Sequence, residues 1–120
     1  MHVAATAILD CGPLRTAEGG IDVRRIRNYV ASRLDSIPRY RQRLAYVPVE
    51  NRPVWVDDEH FDLDFHVRHA SLPKPGTPLQ LQKLCARLLE RQLDRRRPLW
   101  EIWVIEGVVG GRFALHMKVH

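Results

Sequence analysis

The stretch PLWEIWVIEGVVGGRFALHMKVH (Pro98–His120) decides the fold of this 120-residue chain. Its first part, Leu99–Ile105, is apolar at every position except Glu101, which is the pattern of a strand buried on both faces. The glycine-rich segment that follows predicts a tight reversal of the chain. After it, Arg112–His120 alternates polar and apolar residues with the period of a strand. The stretch therefore predicts a β-hairpin whose first strand lies in the middle of a sheet.

Two amphipathic helices precede this hairpin in the sequence. Asp22 is a good N-cap residue, and apolar side chains then recur at helical spacing until the chain approaches Pro38. Thr77 and Pro78 are suited to the start of a second helix. The apolar stripe of this second helix comprises Leu81, Leu84, Cys85, Leu88 and Leu89.

Short strands account for much of the remaining sequence. His2–Leu9 is an apolar run, and Leu44–Val47, Val54–Val56 and Phe65–Val67 are candidate strands separated by prolines and polar turns. The predicted order β-α-β-β-β-α-β-β indicates a mixed α/β fold with a largely non-parallel sheet. Because strand-like runs reach both ends of the sequence, we expect it to be one piece of a longer protein.

The charge balance is basic, with 19 Lys and Arg against 14 Asp and Glu and a net charge of +5. This excludes an acidic mimic of nucleic acid and is compatible with an anionic partner. Cys11 and Cys85 form neither a disulfide framework nor a zinc knuckle, and no apolar stretch approaches the length of a membrane span. The run Arg95–Arg97 either caps the second helix and is solvated, or forms an anion site for a phosphate or lipid headgroup.

Three residues on one face of the last strand, His116, Lys118 and His120, are candidates for chemistry. Residues four apart on a strand are separated by about 13 Å, whereas zinc holds its ligands at about 2 Å, so the two histidines cannot share a zinc ion. We interpret His116 and Lys118 as solvated polar residues. His120, at the strand end, is a candidate acid–base group. His66 and His69 are expected to form hydrogen bonds in the interior or at an edge.

Three phrases of the sequence carry a family resemblance when they are read together. They are MHVAATAILD (1–10), VPVENRPVWVDDEHFDLDFHVRHASLPKPG (47–76) and LDRRRPLWEIWVIEGVVGGRFALHMKVH (93–120). They resemble the bacterial wax ester synthase/acyl-CoA:diacylglycerol acyltransferase (WS/DGAT) family along essentially the whole chain. The most specific pieces are Pro98-Leu99-Trp100 and the closing Lys118-Val119-His120, which in the family leads into the motif H-H-x-x-x-D-G.

The resemblance implies a mixed-sheet α/β half-domain of the CoA-dependent acyltransferase fold, the fold of chloramphenicol acetyltransferase and of peptide-synthetase condensation domains. Residues 1–120 would be a partial N-terminal domain, truncated at both ends, with the C-terminal half absent. In the family the second histidine of the motif is the general base, and it takes the proton from an alcohol that attacks the acyl thioester. His120 would be the first histidine, with a role in orientation or hydrogen bonding. Pro98, Leu99 and Trp100 would pack beside the site.

The resemblance also implies substrates and a location. The activity would be transfer of a fatty acyl group from acyl-CoA to diacylglycerol, and to long-chain alcohols to give wax esters. Acyl-CoA is then a co-substrate, and neither a metal nor a resident cofactor is needed. The protein would be cytoplasmic, peripheral to the inner membrane or to lipid droplets, with the missing half completing the site and with no nucleic-acid partner.

The sequence departs from the family motif in one respect that keeps other functions open. The second histidine, the aspartate and the glycine of H-H-x-x-x-D-G do not occur after His120 within these residues. The alternative is a catalytically incomplete fragment that acts as a lipid-binding or interaction module. A small basic domain that binds nucleic acid is a third hypothesis, and it rests on charge alone.

Overall fold

The structure, a computed structural model that describes residues 3–120, contains six strands and three helices in that range. The strands are β1 (Val3–Asp10), β2 (Gln42–Val47), β3 (Arg52–Asp57), β4 (Val67–Ser71), β5 (Trp100–Val108) and β6 (Arg112–Val119). The helices are α1 (Val23–Leu34), α2 (Leu63–His66) and α3 (Pro78–Glu90), and short 3-10 turns cover Gly12–Leu14 and Pro38–Arg41. The mixed α/β class is confirmed. The predicted first strand is also confirmed from Val3 onward, whereas His2 lies outside the described residues.

Four strands form the main sheet in the order β1-β6-β5-β4. Strand β5 pairs antiparallel with β6 and parallel with β4, and β6 pairs antiparallel with β1. In β5, the neighbouring residues Val104 and Ile105 point to opposite faces and are both 0% exposed. The prediction of a central strand buried on both sides is therefore confirmed. Strands β2 and β3 form a separate hairpin.

The two long helices cover opposite faces of this sheet. Leu34 of α1 belongs to the core that contains Trp100 and Val104. Leu81 and Leu88 of α3 belong to a second core on the other face, and this core contains Trp103, Ile105 and Ala114. Both predicted caps are present, since the carboxylate of Asp22 accepts a hydrogen bond from the Arg25 N–H, and Thr77 forms a capping box with Gln80. Leu89 lies outside the buried stripe and is exposed.

The segment Phe65–Val67 corrects the sequence prediction of a strand. Phe65 and His66 belong to the one-turn helix α2, and β4 begins only at Val67. The physical reason is local, because the Asp62 side chain accepts a hydrogen bond from the Asp64 N–H at 3.0 Å and so caps a helical turn. The turn places His66 in the interior, where it is 1% exposed.

Two glycines allow the loop before α3 to touch the end of β5. Gly76 has a φ of +74°, and a Cβ at this position would collide with the carbonyl group of Gly107. The Gly76 carbonyl accepts a hydrogen bond from the Val109 N–H at 2.9 Å. This close approach fixes the N-terminal end of α3 against the β5–β6 connection.

Candidate active site at the end of the sheet

The site residues predicted from the family resemblance meet where β5 begins and β6 ends. The His120 N–H donates a hydrogen bond to the Leu99 carbonyl oxygen at 3.0 Å, and Val119 lies opposite Trp100 in the hairpin register. Pro98 and Leu99 are buried, whereas His120 is at the surface. Strand pairing thus brings the two motifs together although the whole hairpin separates them in sequence.

Trp100 is held in place at both its side chain and its backbone. Its indole N–H donates to the Tyr40 carbonyl oxygen at 2.7 Å. The imidazole of His66 stacks on the indole with 4.8 Å between ring centroids, and Phe61 stacks on His66 at 5.1 Å. His66 Nδ1 lies 2.8 Å from the Trp100 carbonyl oxygen, and because a carbonyl only accepts, Nδ1 is the donor. The predicted hydrogen bond of His66 in the interior is confirmed, whereas no local pattern indicates that His66 supports Trp100.

The protonation state of His66 follows from its position. Burial lowers the pKa of His66, and the positive charge of Arg97 lowers it further, against a raising effect of the hydrogen bond to the Trp100 carbonyl. Nε2 is buried and has no hydrogen-bond partner among the described residues. The neutral imidazole, protonated on Nδ1, is therefore the form that fits this site.

Lys118 lies in the interior, which corrects its interpretation as a solvated residue. Lys118 is 0% exposed, and its ammonium group donates to the backbone carbonyls of Leu88, at 2.7 Å, and Arg91. It also forms an ion pair with Glu101, with 3.5 Å between Nζ and Oε1. The alternation of β6 indicated a polar face correctly, but α3 covers that face. Lys118 thereby binds the last carbonyls of α3, where a positive charge is favoured.

His116 is buried on the same face and corrects the same interpretation. It is 3% exposed, and its Nδ1 lies 2.9 Å from the Thr6 hydroxyl, which in turn is 3.7 Å from the Cys85 sulfur. Burial lowers the pKa of His116, and the charge of Lys118 lowers it further. Within residues 3–120, no group of His, Cys, Asp and Glu side chains is arranged to hold a metal ion.

The other predicted polar residues lie away from this junction. His69 forms an ion pair with Glu106 at the edge strand β4, with 3.4 Å between Nε2 and Oε2. Arg96 and Arg97 both contact Asp94, and the hydrogen bond from Arg96 lowers the Asp94 pKa. The carbonyls of Leu88 and Arg91 at the end of α3 accept hydrogen bonds from Lys118.

An apolar cavity of about 260 Å³ opens beside the junction. It lies between α1 with the following 3-10 turn and the adjoining ends of β5 and β6. Its lining consists of Tyr29, Val30, Arg33, Leu34, Ile37, Tyr40, Trp100, Glu101, Ile102, Met117, Lys118 and Val119. Met117 and Val119 are on the face of β6 opposite to Lys118, and both are exposed. The strand end therefore borders an open apolar surface on one face and a closed polar network on the other.

Comparison with solved structures defines the class of protein. The chain matches a wax ester synthase/diacylglycerol acyltransferase from Marinobacter aquaeolei VT8 with a TM-score of 0.81 and 32% identity, covering 100% of this chain and 28% of that one. It also matches the first condensation domain of the calcium-dependent antibiotic synthetase, with a TM-score of 0.71 and 15% identity, covering 99% and 28%. The second likeness shows the fold alone. The predicted half-domain of the CoA-dependent acyltransferase fold is confirmed.

Comparison of sequences then gives the family. The model of the wax ester synthase/diacylglycerol acyltransferase catalytic domain matches residues 1–120, and the chain belongs to this family. It is 45% identical over 108 residues to the probable diacylglycerol O-acyltransferase tgs3 of Mycobacterium tuberculosis, covering 89% of this chain and 40% of the relative. It is 44% identical over 114 residues to tgs1 of the same organism, covering 93% and 25%. The chain thus spans less than half the length of these relatives.

The buried ion pair generates a prediction about stability. Lys118→Met leaves the buried Glu101 carboxylate without its counter-charge and the carbonyls of Leu88 and Arg91 without this donor, so we expect the free energy of unfolding to fall by about 3–5 kcal/mol. Adding Glu101→Gln removes the unpaired charge and should restore part of the loss. Urea denaturation followed by circular dichroism measures both. The control Lys83→Met, on the exposed side of α3, should stay within about 0.5 kcal/mol, and an equally small effect of Lys118→Met would contradict the structure.

The neutral His66 generates a prediction about pH. The folded protein keeps the pKa of His66 below 6.5, so below about pH 6.5 the unfolded chain binds the proton more readily and the free energy of unfolding falls. The loss continues until the pH reaches the lowered pKa of the folded state. His66→Phe keeps an aromatic ring between Phe61 and Trp100. In this variant the free energy of unfolding, measured by urea titration at successive pH values, should fall less steeply as the pH is lowered. His60→Phe, at an exposed position, controls for loss of a histidine, and an unchanged slope in His66→Phe would refute the assignment.

Proposed function

We propose that the protein to which this chain belongs transfers a fatty acyl group from acyl-CoA to diacylglycerol, and also to long-chain alcohols to give wax esters. The observation that carries the proposal is the junction of His120 with Leu99 beside an apolar cavity, in a chain of this family. The names of the Mycobacterium relatives support the diacylglycerol acceptor. The name of the Marinobacter structure supports both acceptors.

The geometry of β6 supports a particular division of roles at the motif. The family resemblance makes His120 the first histidine and makes the next position the general base. Side chains alternate along a strand, so the position after His120 would point to the face that carries Met117 and Val119. That face borders the apolar cavity. In this proposal His120 orients the base, and its backbone hydrogen bond to Leu99 fixes the strand end from which both histidines project.

The proposed reaction needs one base and a well-placed alcohol. The base takes the hydroxyl proton as the alcohol oxygen attacks the thioester carbonyl. The tetrahedral intermediate then collapses to the ester, and the departing CoA sulfur takes the proton back. No metal or resident cofactor enters this scheme. The apolar walls of the cavity, which include Trp100, suit an aliphatic chain. Pro98 and Leu99 are buried next to Trp100 in the sequence.

A second candidate function is a catalytically incomplete fragment that binds lipid or a partner protein. The observation in its favour is that the apolar cavity lies within residues 3–120, whereas the proposed base does not. The two functions differ in one readout, because only the first releases CoA thiol in the presence of an acceptor.

We expect activity when residues 1–120 replace the aligned segment of the tgs1 relative. Thiol release from palmitoyl-CoA should then depend on added diacylglycerol or hexadecanol. His120→Ala should lower turnover by about 10- to 100-fold because the base loses its orientation, and His120→Asn should recover part of the rate if hydrogen bonding is the role. His60→Ala, at an exposed position, is the matched control.

Two results would contradict parts of this proposal. If a folded chimera releases thiol at the same rate with and without the acceptor, the transferase function is excluded. A normal rate in His120→Ala would remove His120 from the site while leaving the function in place. If the 120-residue chain binds a fluorescent fatty acid and the folded chimera releases no thiol, the lipid-binding function is favoured.

The proposal includes peripheral attachment at the cytoplasmic side of a membrane or on a lipid droplet. No helix within residues 3–120 has the length and hydropathy needed to cross a bilayer, and the net charge of +5 favours an anionic surface. Each cation near such a surface adds about 1 kcal/mol at low salt. We expect the chain to float with phosphatidylglycerol vesicles and to be released by salt. Flotation that is independent of salt and of anionic lipid would contradict this attachment.

A further inference from the structure

Three arginines and two aromatic rings alternate in an unbroken series at the β4 edge of the sheet. The guanidinium carbon of Arg97 lies 4.0 Å from the ring centroid of Phe65, and that of Arg68 lies 5.3 Å from the same centroid. Arg68 also lies 5.0 Å from the Trp103 ring, and Arg91 lies 6.0 Å from it. We call these five residues the arginine–aromatic ladder.

The ladder carries positive charge that the protein does not neutralise. Within residues 3–120, no carboxylate lies within ion-pair distance of Arg68 or Arg91. Arg97 has one such neighbour, with 3.6 Å between its Nε and Oδ2 of Asp94. Their stacking partners are uncharged rings, which attract a cation but leave its charge in place. Two of the three guanidinium groups are therefore fixed cations available to an anion.

The rings also restrain the positions of these arginines, most closely at Arg97, whose guanidinium carbon lies 4.0 Å from the Phe65 centroid. A guanidinium that lies over an aromatic ring uses its flat face, so its N–H donors point outward around the rim. Those donors match the oxygens of a phosphate in pairs. Arg68 is further restrained because its backbone is paired with Trp103 in the β4–β5 register. Side chains that are already restrained lose less freedom when a ligand binds, which favours affinity.

The ladder begins beside the candidate active site. Arg97 directly precedes Pro98 and Leu99, and the Leu99 carbonyl holds the backbone of His120. Two residues of chain span at most about 7 Å, so Arg97 is near the point where the thioester would react. Arg68 and Arg91 lie at the Trp103 ring, and the Arg91 carbonyl accepts a hydrogen bond from Lys118, two residues before His120.

We propose that the arginine–aromatic ladder binds the nucleotide phosphates of the CoA moiety, which makes it a substrate-binding site separate from the motif residues. This inference rests on the proposed acyl-CoA-dependent function for the identity of the ligand. The chemistry it needs is that of closely spaced phosphate groups, because two cations flank each ring. A phospholipid headgroup offers the same chemistry from another source, and the experiment separates the two.

Isothermal titration of the 120-residue chain with free CoA tests the binding directly. CoA and adenosine 3′,5′-bisphosphate should bind saturably, whereas pantetheine, which lacks the nucleotide phosphates, should not. Arg68→Met keeps the apolar stem over the rings and removes the charged donors, so we expect CoA affinity to fall about tenfold or more. Arg68→Lys keeps the charge without the paired donors and should recover only part of the affinity. Arg91→Met provides a second variant should Arg68→Met fold poorly.

The matched control is Arg87→Met, which removes the same charge from an exposed position of α3. It should change CoA affinity less than about twofold, as expected for a distant charge in salt. Equal losses in Arg68→Met and Arg87→Met would overturn the site, because net charge alone would then explain binding. Absence of saturable binding by CoA would overturn it as well. If Arg68→Met releases the chain from phosphatidylglycerol vesicles and leaves CoA affinity unchanged, the ladder binds lipid headgroups and the CoA assignment is wrong.

Free CoA carries no acyl group, and the titration uses no acceptor. The titration therefore measures CoA binding by the ladder independently of catalysis. Suppose that the chimera makes no ester but that CoA binding by the chain still depends on Arg68. This result would contradict the proposed function and support the ladder as a binding site. The reverse result is an active chimera in which Arg68→Met leaves the Michaelis constant for palmitoyl-CoA unchanged. It would support the proposed function and exclude the ladder as the CoA site.

Discussion

The central strand β5 is buried on both faces, since Val104 and Ile105 are both 0% exposed, and this constraint governs the rest of the structure. A polar group on a doubly covered strand must find its partners inside the protein, because an unpaired buried charge costs several kcal/mol. Glu101 and Lys118 meet this requirement with each other, with the Trp103 indole N–H and with the carbonyls at the end of α3. The same ion pair therefore joins two strands and one helix directly below the strand end that carries His120.

The candidate site has a rigid side and an open side. Trp100 is held by Tyr40 and by His66, which itself stacks on Phe61. On the other side, Met117 and Val119 face an apolar cavity and remain exposed. A fixed backbone can position a reactive group, while a wall that includes a flexible methionine can adapt to aliphatic chains. This combination suits a reaction whose reacting atoms are constant and whose hydrocarbon tails vary.

The sequence predicted those features that depend on local patterns. The apolar run of β5 and the caps Asp22 and Thr77 belong to this group, whereas the family resemblance, and no local pattern, placed Pro98–Trp100 and His120 at one site. The environment of Lys118 could not be predicted, since alternation assigns a residue to a face but does not say what covers that face. The stacking of His66 on Trp100 and the arginine–aromatic ladder are equally non-local, because each joins segments that are distant in sequence. Helix α2 was missed although its signal, the cap residue Asp62, is local.

The hairpin register has a consequence for how this sequence can change in length. The connection between β5 and β6 sets which residue of β6 lies opposite Trp100. One inserted or deleted residue that the turn does not absorb would shift the register by one and turn every later side chain of β6 to the opposite face. Lys118 would then point into the apolar cavity and His120 would exchange places with its neighbour. The length of this turn therefore matters for the site, although the turn is distant from it, because the turn determines which face each residue of β6 occupies. Insertions should be tolerated better in loops that do not set this register.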